Sequence, residues 1–189
     1  MTKKELRAKY RELRKNLSAK DVAIKTDLVL INFQKLDLPF LDIIHTYIAS
    51  EKLGEIDSLP IIRFLQFRNP GIKILVPKIN ETTRELDHIV LNEEDVLAKN
   101  IYGIYEHKTG EPETIHNLDM VLVPLLAFDE NGHRVGYGKG FYDKFLSQLD
   151  RRVLKTGLSF FEAEQSIDDI KPFDIPLDYC ITPGHIYEF

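Results

Sequence analysis

Cysteine and long apolar runs are scarce in this 189-residue chain, and tryptophan is missing altogether. The single cysteine, Cys180, excludes an intramolecular disulfide framework and a metal site built from several cysteines. The longest apolar run, Met120 to Phe128, has nine residues, whereas a bilayer-spanning helix needs about 18. The first residues lack the apolar segment of a secretory signal. We therefore expect a cytoplasmic protein with no membrane partner.

An excess of positive charge is also missing, because 25 Lys and Arg face 30 Asp and Glu. General nucleic-acid binders are usually basic overall, so we expect no nucleic-acid partner. A hydrophobic content of 43% argues against intrinsic disorder. A chain of this length can bury one core, and we expect a single domain over residues 1–189 that acts as a monomer on a small-molecule substrate.

Positive charge is nevertheless concentrated at the start of the chain. Leu6, Tyr10, Leu13 and Leu17 recur at helical spacing and predict an amphipathic helix over residues 3–16. A local basic cluster of this kind can bind a small anion in spite of a net negative charge. Its members within the first 17 residues are Lys3, Lys4, Arg7, Lys9, Arg11, Arg14 and Lys15.

The rest of the chain alternates between predicted strands and helices. This alternation predicts an α/β fold, a single domain with a mostly parallel sheet between helical layers. Residues 98–117 are predicted as an irregular connection. Helices are predicted at 19–36, from Pro60 to 68 and at 141–149, and strands at 43–48, 72–76, 86–91, 120–124, 154–159 and 179–182.

A glycine-rich turn carries the strongest chemical signal. Gly136, Gly138 and Gly140 follow an apolar strand and precede a helix that begins near Phe141, an arrangement that gathers backbone N–H groups around an anion. Lys139 adds a positive charge. Neither a dinucleotide-binding fingerprint nor a Walker A loop fits these spacings. The alternative is a tight connection that binds no ligand.

The stretch from Gly132 to Asp143, GHRVGYGKGFYD, resembles the signature of the 5-formyltetrahydrofolate cyclo-ligase family. The basic opening from Lys3 to Arg7, the segment Glu55-Ile-Asp57 and the segment from Asp174 to Asp178 resemble further elements of that family, in the same order. The resemblance covers nearly the whole chain. It implies ATP-dependent cyclisation of 5-formyltetrahydrofolate to 5,10-methenyltetrahydrofolate with Mg²⁺, in which the formyl oxygen is phosphorylated, N10 attacks, and ADP and phosphate are released.

The resemblance also implies roles for individual residues. Lys139 and Arg134 are the expected catalytic residues. Tyr137 stands where some members of the family carry arginine. The expected nucleotide-binding residues are Lys3, Arg7, Arg134, Val135, Gly136, Tyr137, Gly138, Lys139, Gly140, Phe141 and Tyr142. The expected folate-binding residues are Ile48, Glu55, Tyr137, Gly138, Lys139, Gly140 and Phe141, and the expected Mg²⁺ residues are Asp143 and Asp178.

Other interpretations stay open at this point. The glycine turn would also suit a phosphate-binding module without catalysis, and an α/β scaffold would suit a sugar-phosphate isomerase or a CoA transferase. Asp143 has an ordinary role available as a carboxylate in the first turn of a helix, and Asp178 as a surface residue at the end of a strand. If Asp143 serves the metal, we expect Asp143→Asn to abolish activity and barely to change thermal stability.

Overall fold

A computed structural model of the protein describes residues 1–80, 82–91, 97–99, 105–107 and 112–189. The helices are α1 (Lys3–Lys15), α2 (Ala19–Phe33), α3 (Leu59–Arg68) and α4 (Phe141–Leu146), with a 3₁₀ turn at Glu51–Leu53. The strands are β1 (Ile43–His45), β2 (Lys73–Ile79), β3 (Leu86–Val90), β4 (Leu97–Lys99), β5 (Tyr105–His107), β6 (Met120–Val123), β7 (Ala127–Phe128), β8 (Arg134–Val135), β9 (Leu154–Leu158), β10 (Tyr179–Ile181) and β11 (Ile186–Glu188).

Seven strands form one sheet in the order β11-β10-β9-β6-β1-β2-β3. The five inner strands are parallel, and β3 and β11 join the two edges antiparallel. The predicted α/β class with a mostly parallel sheet is therefore confirmed. From β1 the chain moves to β2 on one side and later to β6, β9 and β10 on the other side. Ligands of such sheets bind outside the carboxyl ends of the strands at this switch point, between β1 and β6.

Both faces of the sheet are covered by helices. Along β6, Met120 and Leu122 point to the layer that contains α2 and α3, and Val121 and Val123 point to the layer that contains α4. All four residues of β6 are buried, as expected of a central parallel strand. The sheet therefore provides a rigid floor from which the connecting loops extend.

Helix α1 packs on the small antiparallel hairpin of β7 and β8. A capping box between Thr2 and Glu5 fixes its start. The residues that α1 buries are Leu6, Tyr10 and Arg14, whereas Leu13 is 38% exposed. The buried residues of α1 are thus four positions apart, and the third of them is charged. The structure buries Arg14 where the apolar pattern in the sequence predicted Leu13.

The structure corrects the predicted pattern mainly in short elements. The predicted strand at 43–48 ends at His45, and the predicted helix at 141–149 ends at Leu146. The hairpin β7–β8 and the edge strand β11 were not predicted. Within the segment predicted as irregular, Tyr105–His107 pairs antiparallel with Leu97–Lys99, while residues 100–104 and 108–111 lie outside the described residues. No described helix is long and apolar enough to span a membrane.

Candidate functional site

A cavity of about 560 Å³ opens at the carboxyl edge of the sheet, within the size range of small-molecule sites. The turn after β1 contributes Tyr47 and Ile48, and the turn after β6 contributes Pro124. The cavity therefore lies at the switch point between these two strands. Its remaining walls come from α1, the segment 52–55, β2, the start of β3 and of β8, the glycine turn, the first turn of α4 and the segment 169–174.

Helix α1 lines one end of the cavity with positive charge. Lys3, Arg7 and Arg11 are spaced by four residues and share the helix face that borders the cavity. The Nε of Arg7 donates a hydrogen bond of 2.9 Å to the carbonyl oxygen of Gly136, which ties the helix to the glycine turn. Lys3 forms an ion pair with Asp174. The structure thus places both basic residues that the sequence singled out at one site.

The glycine turn has a backbone that requires glycine at two positions. Gly138 has φ +91° and Gly140 has φ +76°, both in the left-handed region that side chains disfavour. A Cβ at Gly138 would lie 3.5 Å from the Arg7 guanidinium. At Gly136 and Gly140 the space around a Cβ is open. The turn therefore presents bare backbone to the cavity beside the guanidinium of Arg7.

A partly buried ion pair joins β8 to α4. The Nη2 of Arg134 lies 2.6 Å from Oδ1 of Asp143, and Arg134 also donates to the carbonyl oxygen of Ile175. The Arg134 side chain is only 5% exposed and that of Asp143 is 32% exposed. Burial lowers the pKa of Arg134, and the carboxylate of Asp143 opposes this shift. Asp143 thus compensates a buried charge as well as facing the cavity.

Asp174 is a second carboxylate at the cavity, and the sequence analysis did not assign it a role. Burial raises the pKa of Asp174, but the hydrogen bonds from Lys3 and from the backbone N–H of Lys171 outweigh burial and hold the pKa below its usual value. Asp174 is therefore ionised at neutral pH. Like Asp143, it balances a cation that also borders the cavity.

Asp178 lies elsewhere, and the structure does not bring it together with Asp143, the other carboxylate expected at the metal. Its Oδ2 accepts from the backbone N–H of Lys155 and contacts the Lys155 ammonium, both at 2.7 Å. Asp178 precedes β10 and Lys155 is the second residue of β9, so both lie at the amino edge of the sheet. The cavity is at the opposite edge, and Asp178 does not line it.

The other end of the cavity is apolar and contains one buried carboxylate. Ile48, Tyr47 and Phe141 line it together with Ile79, Leu86 and Tyr142. The backbone N–H of Ser50 donates to Oε2 of Glu55 at 2.8 Å. Burial raises the pKa of Glu55, partly offset by this bond and by a hydrogen bond from Tyr137. A flat ring with polar N–H groups on one edge matches such a surface.

Arg14 supports this end from beneath, although nothing in the sequence analysis singled it out from the other basic residues. Its Nη1 atom donates to the hydroxyl of Tyr137 at 2.9 Å and to the carbonyl oxygen of Leu53 at 3.2 Å. Its Nη2 atom donates to the carbonyl oxygen of Leu125. Arg14 is 7% exposed. It therefore braces three loops that border the cavity.

An aromatic cluster lies behind the cavity wall. The ring of His45 lies 5.0 Å from that of His88 and 4.6 Å from that of Phe145, and Tyr142 completes the group. Burial lowers the pKa of His88 to about 4 and that of His45 well below its ordinary value, so both are neutral at pH 7. Among the described residues, the hydroxyl of Tyr142 has no hydrogen-bond partner.

Metal binding by protein side chains alone has no support here. Among the residues that the structure describes, no three His, Cys, Asp or Glu side chains form a group that could hold a metal ion. Asp143 and Asp174 nevertheless line the same cavity, and Mg²⁺ commonly takes one or two carboxylates and completes its coordination with phosphates and waters. The donor set therefore fits a magnesium–phosphate complex better than a resident ion.

The sequence was compared with protein families and with known proteins. A model of the 5-formyltetrahydrofolate cyclo-ligase family matches residues 1–183. The cyclo-ligase of Escherichia coli strain K12 is 28% identical over 141 residues, which are 72% of this chain and 76% of that protein. The cyclo-ligase of Mycoplasma genitalium is 39% identical over 70 residues, which are 36% of this chain and 41% of that protein.

Solved structures extend the agreement to the fold. The NMR structure of 5,10-methenyltetrahydrofolate synthetase from Aquifex aeolicus matches with a TM-score of 0.81 at 27% identity, over 100% of this chain and 93% of that one. A synthetase from Mycoplasma pneumoniae, 22% identical, shares the fold with a TM-score of 0.74 over 97% and 99% of the two chains. With the family model matching nearly every residue, the chain belongs to the 5-formyltetrahydrofolate cyclo-ligase family of enzymes.

Proposed function

We propose that the protein converts 5-formyltetrahydrofolate to 5,10-methenyltetrahydrofolate at the expense of one ATP, releasing ADP and phosphate. The observation that carries this proposal is the division of one cavity into a cationic end and an apolar end. Lys3, Arg7 and the glycine turn form the first, and Ile48, Tyr47 and Glu55 belong to the second. A triphosphate suits the first end and a pterin suits the second, so the two substrates would meet between them.

The chemical problem is a poor leaving group. A formamide oxygen does not leave unaided, so ring closure requires its activation. Transfer of the γ-phosphoryl group of ATP to this oxygen gives an iminium phosphate, N10 then attacks the carbon, and phosphate leaves together with the N10 proton. Phosphoryl transfer of this kind depends on positioning and on charge stabilisation more than on covalent chemistry by the protein. The side chains at the cationic end suit that task.

In this mechanism Lys139 and Arg134 act on the transferred phosphoryl group. Lys139 is exposed within the turn and borders the cavity. Arg134 is fixed by Ile175 and Asp143, so its guanidinium needs little reorganisation when charge develops. The backbone from Gly136 to Gly140 and the Arg7 side chain bind the phosphates. Val135, which the resemblance also implied, is buried in β8, where its carbonyl oxygen accepts from the N–H of Leu126, and it does not line the cavity.

Asp143 and Asp174 would hold Mg²⁺, which supplies neutralisation of the phosphate charge when bound. In the structure each carboxylate forms an ion pair with a basic side chain, Asp143 with Arg134 and Asp174 with Lys3. A phosphate chain bound with its metal brings both charges at once. Arg134, still held by the carbonyl oxygen of Ile175, and Lys3 can then contact phosphate oxygens while the carboxylates keep a positive partner, so no charge is left uncompensated.

Glu55 and the aromatic walls would orient the folate. The carboxylate of Glu55 accepts hydrogen bonds from ring N–H groups, and Phe141 and Tyr142, on the first turn of α4, line the same end of the cavity. An apolar wall also excludes water, which would otherwise compete with N10 for the activated carbon.

The test is to mix the protein with 5-formyltetrahydrofolate and Mg-ATP and to follow the methenyl chromophore and ADP. We expect one ADP per ring closed, and we expect ¹⁸O from the formyl group to appear in inorganic phosphate. Omission of ATP and the variant Lys139→Ala serve as controls. Label that stays in the folate, or that appears only in water, would rule out the phosphorylated intermediate. ATP binding with no product formation would instead indicate a phosphate-binding module.

A further inference from the structure

The two ends of the cavity are connected through the hydroxyl of a single tyrosine. Tyr137 belongs to the glycine turn at the cationic end, yet its side chain reaches Glu55 at the apolar end. Its hydroxyl accepts a hydrogen bond from Nη1 of Arg14 at 2.9 Å, and burial together with the nearby Glu55 carboxylate raises the pKa of the tyrosine. Because Arg14 is the donor in the first contact, the phenol proton remains available to Glu55.

Arg14 is the member of this connection with the most hydrogen bonds. It is buried in α1, and its guanidinium is also held by the carbonyl oxygens of Leu53 and Leu125. Glu55 is held by one backbone N–H, that of Ser50, and it interacts with the hydroxyl of Tyr137. The carboxylate therefore depends on the position of Tyr137, and Tyr137 in turn depends on the conformation of the glycine turn.

The glycine turn is the part of this connection that a nucleotide would touch. Its backbone is attached to α1 by the bond from Arg7 to Gly136, and it carries positive φ angles at Gly138 and Gly140. A phosphate chain bound to Arg7 and to this turn would fix its conformation and, through it, the Tyr137 hydroxyl. The conformational entropy of Glu55 would then be lost when the nucleotide binds, and the folate would bind to a carboxylate that is already ordered.

We propose that Tyr137 is a positioning residue that couples the two substrate sites, so that nucleotide bound at the glycine turn pre-orients Glu55 and raises the affinity for the folate. The proposal rests on the proposed function, since it takes ATP and 5-formyltetrahydrofolate as the ligands. Coupling of binding is reciprocal, so the folate must raise the affinity for nucleotide by the same factor.

The alternative is that Tyr137 is simply part of the wall of the cavity. A wall residue contributes to folate affinity to the same extent with or without nucleotide. The two interpretations therefore differ in the ratio of two dissociation constants, and not in the size of either constant. This ratio is insensitive to a general weakening of the site.

The experiment measures the dissociation constant of 5-formyltetrahydrofolate by calorimetry, with and without the non-hydrolysable β,γ-imido analogue of ATP and Mg²⁺. For the wild type we expect the analogue to tighten folate binding about tenfold, within the usual range of coupling between sites. For Tyr137→Phe we expect a ratio of about two or less. Tyr10→Phe is the matched control, because Tyr10 is a buried tyrosine that interacts with a glutamate, donating to Glu164 at 2.7 Å, but it lies outside the cavity lining.

Steady-state kinetics give a second measurement. With saturating ATP, Tyr137→Phe should raise KM for the folate about fivefold to tenfold and change kcat less than about twofold, since the coupling acts on binding. Tyr10→Phe should leave both at wild-type values. A variant Tyr137→Phe that keeps the full wild-type ratio of dissociation constants overturns the proposal, and so does a wild type that forms product but shows no coupling. A wild type that forms no product at all overturns the proposed function instead.

A second variant, Arg14→Lys, tests the same connection with Tyr137 intact. Arg14→Lys keeps the positive charge but lacks the fork that holds Tyr137 and Leu53 together, so it should lower the ratio as Tyr137→Phe does. If the residues act as one unit, the double variant loses no more coupling than either single variant. Losses that add in the double variant would contradict a shared connection.

Discussion

The variant Asp143→Asn gives the sharpest test of the site, because the structure assigns Asp143 two separable roles. It faces the cavity where Mg²⁺ would bind, and it neutralises Arg134 at 2.6 Å. Asparagine keeps the shape and can still accept a hydrogen bond from Arg134, but it carries no charge. Each role then has its own measurement.

The stability effect follows from the geometry of the pair. A hydrogen bond to a charged partner contributes about 1.5–3 kcal/mol and a neutral one about 1 kcal/mol, so the substitution should cost about 1–2 kcal/mol of unfolding free energy. Since Asp143 is 32% exposed, water limits the loss to this range. In a chain of this length the cost corresponds to about 2–8 °C in Tm. The expectation from sequence that thermal stability barely changes is therefore revised.

The metal role is measured separately, at a temperature where the variant is fully folded. We expect kcat to fall about 100-fold or more at the Mg²⁺ concentration that saturates the wild type, with partial recovery at higher Mg²⁺. Mg²⁺ should also raise the Tm of the wild type further when ATP is present, and this increment should disappear in Asp143→Asn. Asp150→Asn is the control, since Asp150 pairs with Arg152 on the surface. Wild-type turnover at the wild-type Mg²⁺ concentration would reduce Asp143 to its structural role.

Three further predictions concern the charges around the site. Lys139→Ala and Arg7→Ala should each lower kcat/KM for ATP about tenfold to 100-fold, because a charge-assisted hydrogen bond is lost; wild-type ATP kinetics in both would move the phosphate site elsewhere. Asp174→Asn should raise the Mg²⁺ requirement and Asp178→Asn should leave it unchanged, and the reverse result would restore the assignment from sequence. His88 binds its proton less readily in the folded state, with a pKa of about 4 against about 6.5 unfolded, so its contribution to stability is present above pH 6.5 and is lost as the pH falls. Between pH 7.5 and pH 5 the loss is roughly 1–2 kcal/mol, and urea titrations of His88→Phe should show a pH dependence smaller by that amount; an unchanged slope would mean that His88 is not buried as a neutral base.

The centre of the sheet was predictable because β1, β2 and β6 are mainly apolar and the turns near them carry glycine, proline or asparagine. Met120 to Val123 has no polar residue, and such runs form central parallel strands. The short hairpin of β7 and β8 was not predictable, since its strands have two residues each and owe their pairing to the turn around Asp129. Its stability comes from packing against α1, which is a tertiary effect that local sequence does not contain.

The basic face of α1 and the glycine turn were also predictable, because spacing alone places Lys3 and Arg7 on one side of a helix. Arg14 was not distinguished from its neighbours. A signal was present, however, since Arg14 continues the four-residue spacing of Leu6 and Tyr10 and so falls on the buried face. A charge at a buried helical position needs partners, and the partners of Arg14 are the loops that border the cavity.

The topology of the sheet explains why Asp174 lines the cavity and Asp178 does not. The sequence predicts a strand from Tyr179, which makes Asp178 the residue just before it. In a parallel sheet every connection leaves a strand at the carboxyl edge and returns to the amino edge, so the residue before a strand lies away from the ligand. Four residues of extended chain span about 14 Å, which is most of the length of a five-residue strand. Asp174 can therefore lie at the cavity while Asp178 is at the far edge with Lys155, as observed.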